Sequence, residues 1–237
     1  MPNQKPITVI TGASSGIGES IAKELAKSGL TVCLAARNID KLETIVSEIH
    51  DFGGDAHYFE LDLLDEKSIN DFIVKVNSVG EVDNVINNAG FGKFDKIENV
   101  KLSDWDEMFS VNLRGAFLIS QAFIPKMKKK KSGNIVFINS VAGKNGYPFS
   151  AGYVASKFGM RGLAESLRNE LREDNIKVTS IYPGAVDSQF WENVNADFPR
   201  NEMMLTQEIA ETVLFAIQKP GIGALEDIVI RRTKGDF

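Results

Sequence analysis

The stretch ITVITGASSGIG, residues 7–18, decides the fold. Its first five residues are mostly β-branched and apolar, which is typical of a buried strand. The following glycine-rich residues lead into a segment in which Ile21, Leu25 and Ala26 recur at helical spacing and Gly29 marks the end. A strand, a glycine-rich turn and a helix in this order predict the phosphate-binding unit of a dinucleotide-binding α/β domain.

Each of the three loop glycines has a physical purpose at a phosphate site. Together they allow a tight turn, a close approach of the backbone to a pyrophosphate, and close packing of the helix on the strand. The N–H groups at the start of the helix then face the phosphates. The spacing is G-x-x-x-G-x-G, without the Gly-Lys-Ser/Thr ending of an ATP-binding loop, so a kinase or ATPase is excluded. Candidate cofactor contacts in the loop 11–18 are Gly12, Ser14, Ser15, Gly16, Ile17 and Gly18.

The rest of the chain alternates β-type apolar runs with amphipathic helical patterns. Helices are expected from an N-cap at Ser103 to about residue 130, and at 152–173. We expect an α/β fold, a single doubly wound Rossmann domain over residues 1–237, because strands joined by helices form parallel crossovers and no linker interrupts them. Its sheet would have seven parallel strands with helices on both faces. The predicted strands are 7–11, 31–37, 55–63, 82–90, 134–140, 176–184 and 225–231.

Composition excludes several classes of protein. The 237 residues carry a net charge of −5, which argues against nucleic-acid binding. The sequence shows no signal peptide and no apolar run long enough to span a bilayer, so we expect a cytoplasmic protein without membrane contact. One cysteine, Cys33, and two histidines leave too few ligands for a His/Cys metal site, and no metal is expected.

The end of the second strand distinguishes NAD from NADP. About twenty residues after the glycine loop, an Asp or Glu would bond the ribose 2′-hydroxyl and repel a 2′-phosphate. Here Ala36 stands at the place of the carboxylate and Arg37 follows. A guanidinium without a neighbouring carboxylate suits a phosphate, and Ser14 adds a hydroxyl. The sequence therefore predicts NADP(H) as the cofactor.

Further short motifs follow in a fixed order along the chain. They are Asp62 in LDL, NNAG at 87–90, Asn112, Ser140 in NSVAG, YVASK at 153–157 and PGAV at 183–186. With these motifs the sequence resembles the short-chain dehydrogenase/reductase family over essentially its full length. The resemblance implies an NADPH-dependent oxidoreductase that interconverts an aldehyde, ketone or keto ester and its alcohol by hydride transfer.

The resemblance implies four catalytic residues, three of them in the segment 140–157. Tyr153 would be the general acid in reduction and the base in the reverse direction. Lys157 would lie on the same face of the helix and hold the nicotinamide ribose. Ser140 would position the substrate oxygen, and Asn112 would anchor a water chain leading to Lys157. A nearby ammonium and the charge of the oxidised nicotinamide should lower the pKa of Tyr153.

The resemblance also implies further contacts to the cofactor. Asp62 would meet the adenine amino group, NNAG would line the adenine and ribose side, and the PGAV segment would lie at the nicotinamide amide. Ser188 stands where the family often has threonine, and it keeps the hydroxyl. The positions carried over are Asp62, Leu63, Asn88, Ala89, Gly90, Tyr153, Lys157, Pro183, Gly184, Val186 and Ser188.

The substrate should lie at the carboxyl ends of the strands, over the nicotinamide. The segment at about 187–204 is expected to form a lid, since such loops commonly close over a reacting site. Because this lid is short, a small or medium carbonyl compound is favoured. Aromatic residues predict a partly apolar pocket lined by Phe91, Tyr147, Phe190 and Trp191.

Other functions remain open on the sequence alone. A β-ketoacyl-carrier-protein reductase is one, although such chains commonly carry Asn-Gly-Gly near the end and this chain ends LEDIVIRRTKGDF. A non-catalytic NADP(H)-binding redox sensor would usually have lost Tyr153 or Lys157, and a sugar-nucleotide epimerase would be longer. By analogy with the family, a homodimer or homotetramer is expected through the helices at about 103–130 and 152–173.

Overall fold

Seven strands form one sheet in which every neighbouring pair is parallel, in the order β3-β2-β1-β4-β5-β6-β7. A computed structural model describes residues 6–194 and 198–235, so residues 195–197 of the expected lid lie outside the described part. The predicted α/β class and seven-stranded parallel sheet are confirmed. The strands are β1 (Ile7–Thr11), β2 (Thr31–Ala36), β3 (Asp55–Glu60), β4 (Val82–Asn87), β5 (Gly133–Ile138), β6 (Ile176–Pro183) and β7 (Asp227–Ile230).

Helices cover both faces of the sheet. One apolar cluster packs α3, α5 and α6 on one face, around Phe72, Phe123 and Met160, and a second packs α1, α2 and α7 on the other, around Leu25 and Leu42. Burial on both faces explains why β1 and β2 are buried at every residue and show no alternation of apolar and polar side chains. The helices are α1 (Gly16–Lys27), α2 (Ile39–Asp51), α3 (Glu66–Val79), α4 (Leu102–Phe109), α5 (Ala116–Lys130), α6 (Ala151–Leu171) and α7 (Thr206–Gln218).

The strand order reverses at β1, which pairs with β2 on one side and β4 on the other. In open α/β sheets a crevice forms outside the carboxyl ends of the strands at such a reversal. The glycine loop follows β1 and the NNAG motif follows β4. The topology therefore brings these two motifs to one cleft.

The long helix expected from Ser103 is interrupted. A π-helical turn, Ser110–Gly115, separates α4 from α5. The N-cap prediction is wrong, because Lys101 is the last extended residue and Ser103 already lies in the first turn of α4. No helix among the described residues is long and apolar enough to cross a membrane.

Candidate active site

Neighbouring atoms leave no room for side chains at the three glycines of the glycine loop. A Cβ on Gly12, whose φ is +66°, would lie 2.7 Å from Ala89 Cα, and one on Gly18 would lie 2.3 Å from the Gly12 carbonyl oxygen. Gly16 has φ +58°, and its Cβ would meet Ser188 Cβ at 3.3 Å. Positive φ and these short contacts both require glycine, as the sequence pattern predicted.

Asn88 fixes the loop from the neighbouring strand. Its Nδ2 donates to the carbonyl oxygens of Thr11 and Gly12 at 3.0 and 3.1 Å. Thr11 Oγ1 in turn accepts the backbone N–H groups of Asn88 and Ala89, both at 3.1 Å. The side chain of Asn88 is therefore directed at the loop, and Thr11 is a bracing residue that the sequence did not single out.

The start of α1 offers free donors at the end of this loop. Ser15 is the extended N-cap, and its side chain makes no capping hydrogen bond. The first N–H groups of a helix have no partner inside the helix and carry partial positive charge, so they favour an anion. Ser14 and Ser15 are partly exposed there, whereas Ile17 packs with the apolar cluster around Val186.

The residues predicted at the adenosine side lie at the ends of β2 and β3. Arg37 is exposed directly after Ala36, the last residue of β2. Asp62 Oδ1 accepts the backbone N–H of Leu64 at 2.9 Å, which fixes the carboxylate at the turn after β3. Leu63 is buried, and a Cβ on Gly115 would lie 2.9 Å from its Cδ1, so its side chain belongs to the core.

Three of the four predicted catalytic residues meet at the end of β5. Ser140 lies two residues after β5, and its side chain is close enough to Tyr153 of α6 to influence the tyrosine pKa. Lys157 is 4 % exposed, and its Nζ lies 5.8 Å from the Tyr153 ring centroid. That nitrogen donates to the Ile138 carbonyl oxygen at 2.9 Å. The Tyr-x-x-x-Lys spacing thus places a phenol and an amine in one cleft, as expected for residues one helical turn apart.

Asn112 lies in the π-helical turn and is fully buried. Its Oδ1 accepts the Phe91 N–H at 3.0 Å, and its Nδ2 donates to the Phe91 carbonyl at 2.9 Å and to Ser156 Oγ at 3.0 Å. A Cβ on Gly90 would lie 3.1 Å from Asn112 Oδ1 and 3.5 Å from Lys157 Nζ. Asn112 therefore ties the segment after β4 to α6 beside Lys157.

A cluster of aromatic rings covers the Tyr153 ring. The Phe94 and Phe190 centroids lie 5.7 and 5.5 Å from the Tyr153 centroid, and 5.8 Å from each other. Trp191 packs against Phe190 at 5.7 Å and against Phe198 at 4.8 Å. The predicted pocket residues Phe190 and Trp191 are therefore at the site.

The first residues of the expected lid segment 187–204 are bonded to residues near its other end, after β6. Val186 forms a parallel bridge with Met204, and the Asp187 N–H donates to the Met204 carbonyl at 2.8 Å. Arg200 Nε donates to Asp187 Oδ1 at 2.6 Å, and its Nη2 donates to the Ser188 carbonyl at 2.9 Å. The Arg200 guanidinium thus bonds two residues at the start of the expected lid segment.

The end of β6 also holds the other predicted nicotinamide residues. Pro183 is the buried last residue of β6, and the Gly184 N–H donates to the Ile230 carbonyl at 2.9 Å. Val186 is buried, and Ser188 faces Gly16 of the glycine loop. The segment 183–188 therefore lies across the cleft from the start of α1.

A family model described as short chain dehydrogenase matches residues 6–198. The chain belongs to the short-chain dehydrogenase family. It is similar to a sepiapterin reductase of Chlorobaculum tepidum, with 34 % identity over 241 residues and 98 % of each chain covered. An alcohol dehydrogenase from the archaeon Thermococcus sibiricus, complexed with 5-hydroxy-NADP, is 33 % identical with a TM-score of 0.89 over 97 % of both chains. A metagenomic short-chain oxidoreductase in complex with NADP is also 33 % identical, with a TM-score of 0.85 over 96 % of this chain and 97 % of that one.

Within this short-chain dehydrogenase fold, the pKa of Tyr153 departs from expectation. Burial raises it to about 12, although the hydrogen bond with Ser140 opposes the rise. Burial also lowers the pKa of Lys157 to about 7. The Tyr153 pKa is therefore raised by the protein alone, because desolvation outweighs the hydrogen bond and the lysine is itself driven towards its neutral form. The expected lowering, which includes the charge of the oxidised nicotinamide, stays a prediction for the complex with cofactor.

Two of the four predicted pocket residues are placed differently from Phe190 and Trp191. The ring of Phe91 lies 5.7 Å from Lys93 Nζ, and the Phe91 backbone is held by Asn112. Tyr147 is 38 % exposed on the loop before α6. Phe94, which the sequence analysis did not select, contacts Tyr153 directly. It ends the FGKF segment, residues 91–94, which the sequence offers as a candidate lining of the pocket without singling out Phe94.

Asn139, which links Ser140 to Lys157, is a further residue that the sequence analysis did not single out. Its Oδ1 accepts the Ser140 N–H at 2.9 Å and its Nδ2 donates to the Lys157 carbonyl at 3.2 Å. A Cβ on Gly143 would lie 2.4 Å from this Oδ1. Asn139 therefore positions the strand end that carries Ser140 against the helix that carries the lysine.

Proposed function

We propose that this protein is an NADPH-dependent carbonyl reductase, which interconverts an aldehyde, ketone or keto ester and its alcohol with Tyr153 as the general acid/base. The observation that carries the proposal is the placement of the Tyr153 ring beside the buried amine of Lys157 and within interaction range of Ser140, in the cleft that the glycine loop borders. Membership of the short-chain dehydrogenase family supports the reaction class.

The residues of the cleft fit a dinucleotide. The space above Gly12 and Gly16 has no room for a Cβ without strain, and the start of α1 presents N–H groups that no side chain caps. Both features suit a pyrophosphate that approaches the backbone closely. Ser188 and the segment 183–188 would face the nicotinamide end, and Lys157 would hold the ribose.

Arg37 favours the phosphorylated cofactor. It is exposed after Ala36, and no acidic residue stands at the end of β2 to repel a 2′-phosphate. A guanidinium binds phosphate oxygens through two parallel hydrogen bonds. The complexes of the two solved relatives with NADP and 5-hydroxy-NADP agree with this assignment.

Protonation is the step that the chain's own residues perform. When bound, NADPH supplies the hydride to the carbonyl carbon. With a pKa of about 12, the Tyr153 phenol keeps its proton at neutral pH and can donate it to the carbonyl oxygen as the C–O double bond is reduced. Ser140 would donate a hydrogen bond to the same oxygen, as an oxyanion-stabilising group does.

Lys157 would restore the proton. Because burial lowers its pKa to about 7, it exchanges a proton readily at neutral pH. Once Tyr153 has lost its proton, the negative phenolate would favour the charged ammonium beside it. Asn112 would keep Lys157 and the segment after β4 in register, through its three hydrogen bonds.

The test is NADPH oxidation, followed at 340 nm, against aldehydes, ketones, keto esters and an acetoacetyl thioester. We expect NADPH-dependent reduction of a small or medium carbonyl compound, with NADH at least tenfold less effective. Arg37→Glu should reverse that preference, because a carboxylate there repels the 2′-phosphate. Activity confined to the thioester would favour β-ketoacyl-carrier-protein reduction. Tight NADPH binding without any turnover would favour the redox-sensor alternative and refute a reductase.

A homodimer or homotetramer and a cytoplasmic location are part of the same proposal. Phe117 on α5 and Phe158 on α6 are both exposed apolar side chains on the two helices expected to form the contact. Sedimentation should give a species of twice or four times the 26.1 kDa chain. A single species of monomer mass would refute the oligomer.

A further inference from the structure

Three aromatic rings, two pairs of them edge to face and the third pair tilted, meet where a substrate must reach Tyr153. Phe94 and Tyr153 are inclined by 61°, Phe94 and Phe190 by 76°, and Tyr153 and Phe190 by 50°. Edge-to-face pairs are favoured because the positive edge of one ring meets the negative face of another. We call these three residues the ring triad.

The residues on both sides of Phe94 are tied to other segments. The Lys93 N–H donates to Met108 Sδ at 3.4 Å, and Lys93 Nζ lies 2.7 Å from Asp104 Oδ1 and 2.8 Å from Glu107 Oε2, all on α4. On the other side, the Asp95 N–H donates to the Phe149 carbonyl in the loop before α6 at 2.9 Å. These contacts position the segment that carries Phe94.

Gly92 leaves the space that the ring triad needs. A Cβ at this position would lie 2.5 Å from Phe94 Cζ and 3.2 Å from Phe190 Cζ. Its backbone does not have positive φ, so conformational freedom does not explain the glycine. The absent side chain instead lets the rings of Phe94 and Phe190 approach each other.

Phe190 comes from the lid side and closes the triad. It lies in a short 3₁₀ turn, Gln189–Asn193, and the next residue, Trp191, donates its Nε1–H to the Val186 carbonyl at 2.8 Å. This hydrogen bond ties the turn to Val186, three residues after the end of β6. Phe190 and Phe94 approach Tyr153 from separate segments of the chain.

We propose that Phe94 and Phe190 are specificity-determining residues, which make the site prefer a carbonyl group that carries a flat aromatic or conjugated substituent over its saturated analogue. The inference rests on the proposed function, because the carbonyl oxygen must approach the Tyr153 hydroxyl. The substituent on that carbonyl then enters the ring triad and displaces ring–ring contacts. An aromatic substituent replaces them with edge-to-face contacts of the same kind, whereas a saturated ring restores only dispersion.

The experiment compares benzaldehyde with cyclohexanecarbaldehyde, which have rings of equal carbon number. The ratio of their kcat/KM values is measured with NADPH for the wild type and for Phe94→Leu and Phe190→Leu. Comparing each variant's ratio with the wild-type ratio cancels the different intrinsic reactivity of the two aldehydes. We expect this ratio to fall about threefold to tenfold in each leucine variant. An unchanged ratio in both would overturn the proposal.

Two further variants separate specificity from general damage. Phe94→Tyr keeps the ring and should keep the wild-type ratio. Phe215→Leu changes a phenylalanine of α7 that is 62 % exposed, away from the ring triad, and should also leave the ratio unchanged. A Phe215→Leu effect equal to that of Phe94→Leu would overturn the assignment.

A binding measurement distinguishes failure of this inference from failure of the proposed function. The chain has two tryptophans, so Trp105→Phe leaves Trp191, next to Phe190, as the fluorescent reporter. In the presence of NADP⁺, benzamide should bind at least threefold more tightly than cyclohexanecarboxamide, and Phe94→Leu should remove the difference. Equal binding overturns the ring preference even if both aldehydes are reduced. Preferential benzamide binding without reduction of any aldehyde, ketone or keto ester would refute the reductase and leave the preference standing.

Discussion

Replacing Lys157 with methionine should stabilise the protein without cofactor, although it removes a residue of the proposed proton path. Burial lowers the pKa of Lys157 from 10.5 to about 7. At about 1.4 kcal/mol per pKa unit, this corresponds to a cost of about 5 kcal/mol when both states are protonated. Methionine fills a similar volume but leaves the Ile138 carbonyl without its 2.9 Å hydrogen bond, a loss of about 1–3 kcal/mol.

The free energy of unfolding should therefore increase by about 2 kcal/mol at pH 7 in the methionine variant. For a chain of this size that raises the melting temperature by about 4–8 °C. Since the lowered pKa means that the folded state binds the proton less tightly than the unfolded state, the cost is full below the folded value and disappears as pH rises to 10.5. The advantage of methionine should therefore shrink and be lost at about pH 9.

Thermal unfolding from pH 6 to pH 9 measures this effect. The matched control is Lys129→Met on α5, an exposed lysine whose replacement should change the melting temperature little and without a trend in pH. A Lys157→Met protein that melts below the wild type at pH 7 would refute the reasoning. So would a stabilisation that is as large at pH 9 as at pH 6.

Three other substitutions test the rest of the site. Gly18→Ala places a methyl about 2.3 Å from the Gly12 carbonyl oxygen, which displaces the glycine loop. The NADPH dissociation constant should therefore rise at least tenfold in a fluorescence titration. An unchanged dissociation constant contradicts the loop assignment. Asn112→Ala removes two hydrogen bonds to Phe91 and one to Ser156 of α6, so we expect a lower melting temperature and at least a tenfold loss of kcat. Wild-type kcat would remove Asn112 from the proposed proton path. Arg200→Met removes the partly exposed ion pair with Asp187, so the melting temperature should change little. KM should rise by a larger factor than kcat falls. Equal factors for KM and kcat would refute a role of Arg200 in holding the expected lid segment.

Local chemistry made the fold and the cofactor cleft predictable. β1 was predicted with its observed bounds, because a β-branched run ends abruptly in a glycine loop. The glycines 12, 16 and 18 were predictable because a glycine-rich turn between a strand and a helix is a local pattern, although the contacts at Gly12 and Gly16 come from the distant residues Ala89 and Ser188. The Tyr153–Lys157 pairing follows from helical periodicity alone.

The unpredicted features depend on contacts between distant segments. The π-helical turn around Asn112 is supported by hydrogen bonds to Phe91 and Ser156, which are 21 and 44 residues away. The contact between Phe94 and Tyr153 joins residues that are farther apart in sequence than either of these pairs. The high pKa of Tyr153 comes from burial beneath the other rings, which no spacing rule reports.

The central claim is that Tyr153 donates the proton. A single-turnover measurement with NADPH and the best carbonyl substrate tests it most directly, by comparing the wild type with Tyr153→Phe. We predict that the variant binds NADPH with unchanged affinity and transfers hydride at least a hundredfold more slowly, because the carbonyl oxygen has lost its acid. Hydride transfer at the wild-type rate by Tyr153→Phe would contradict the account.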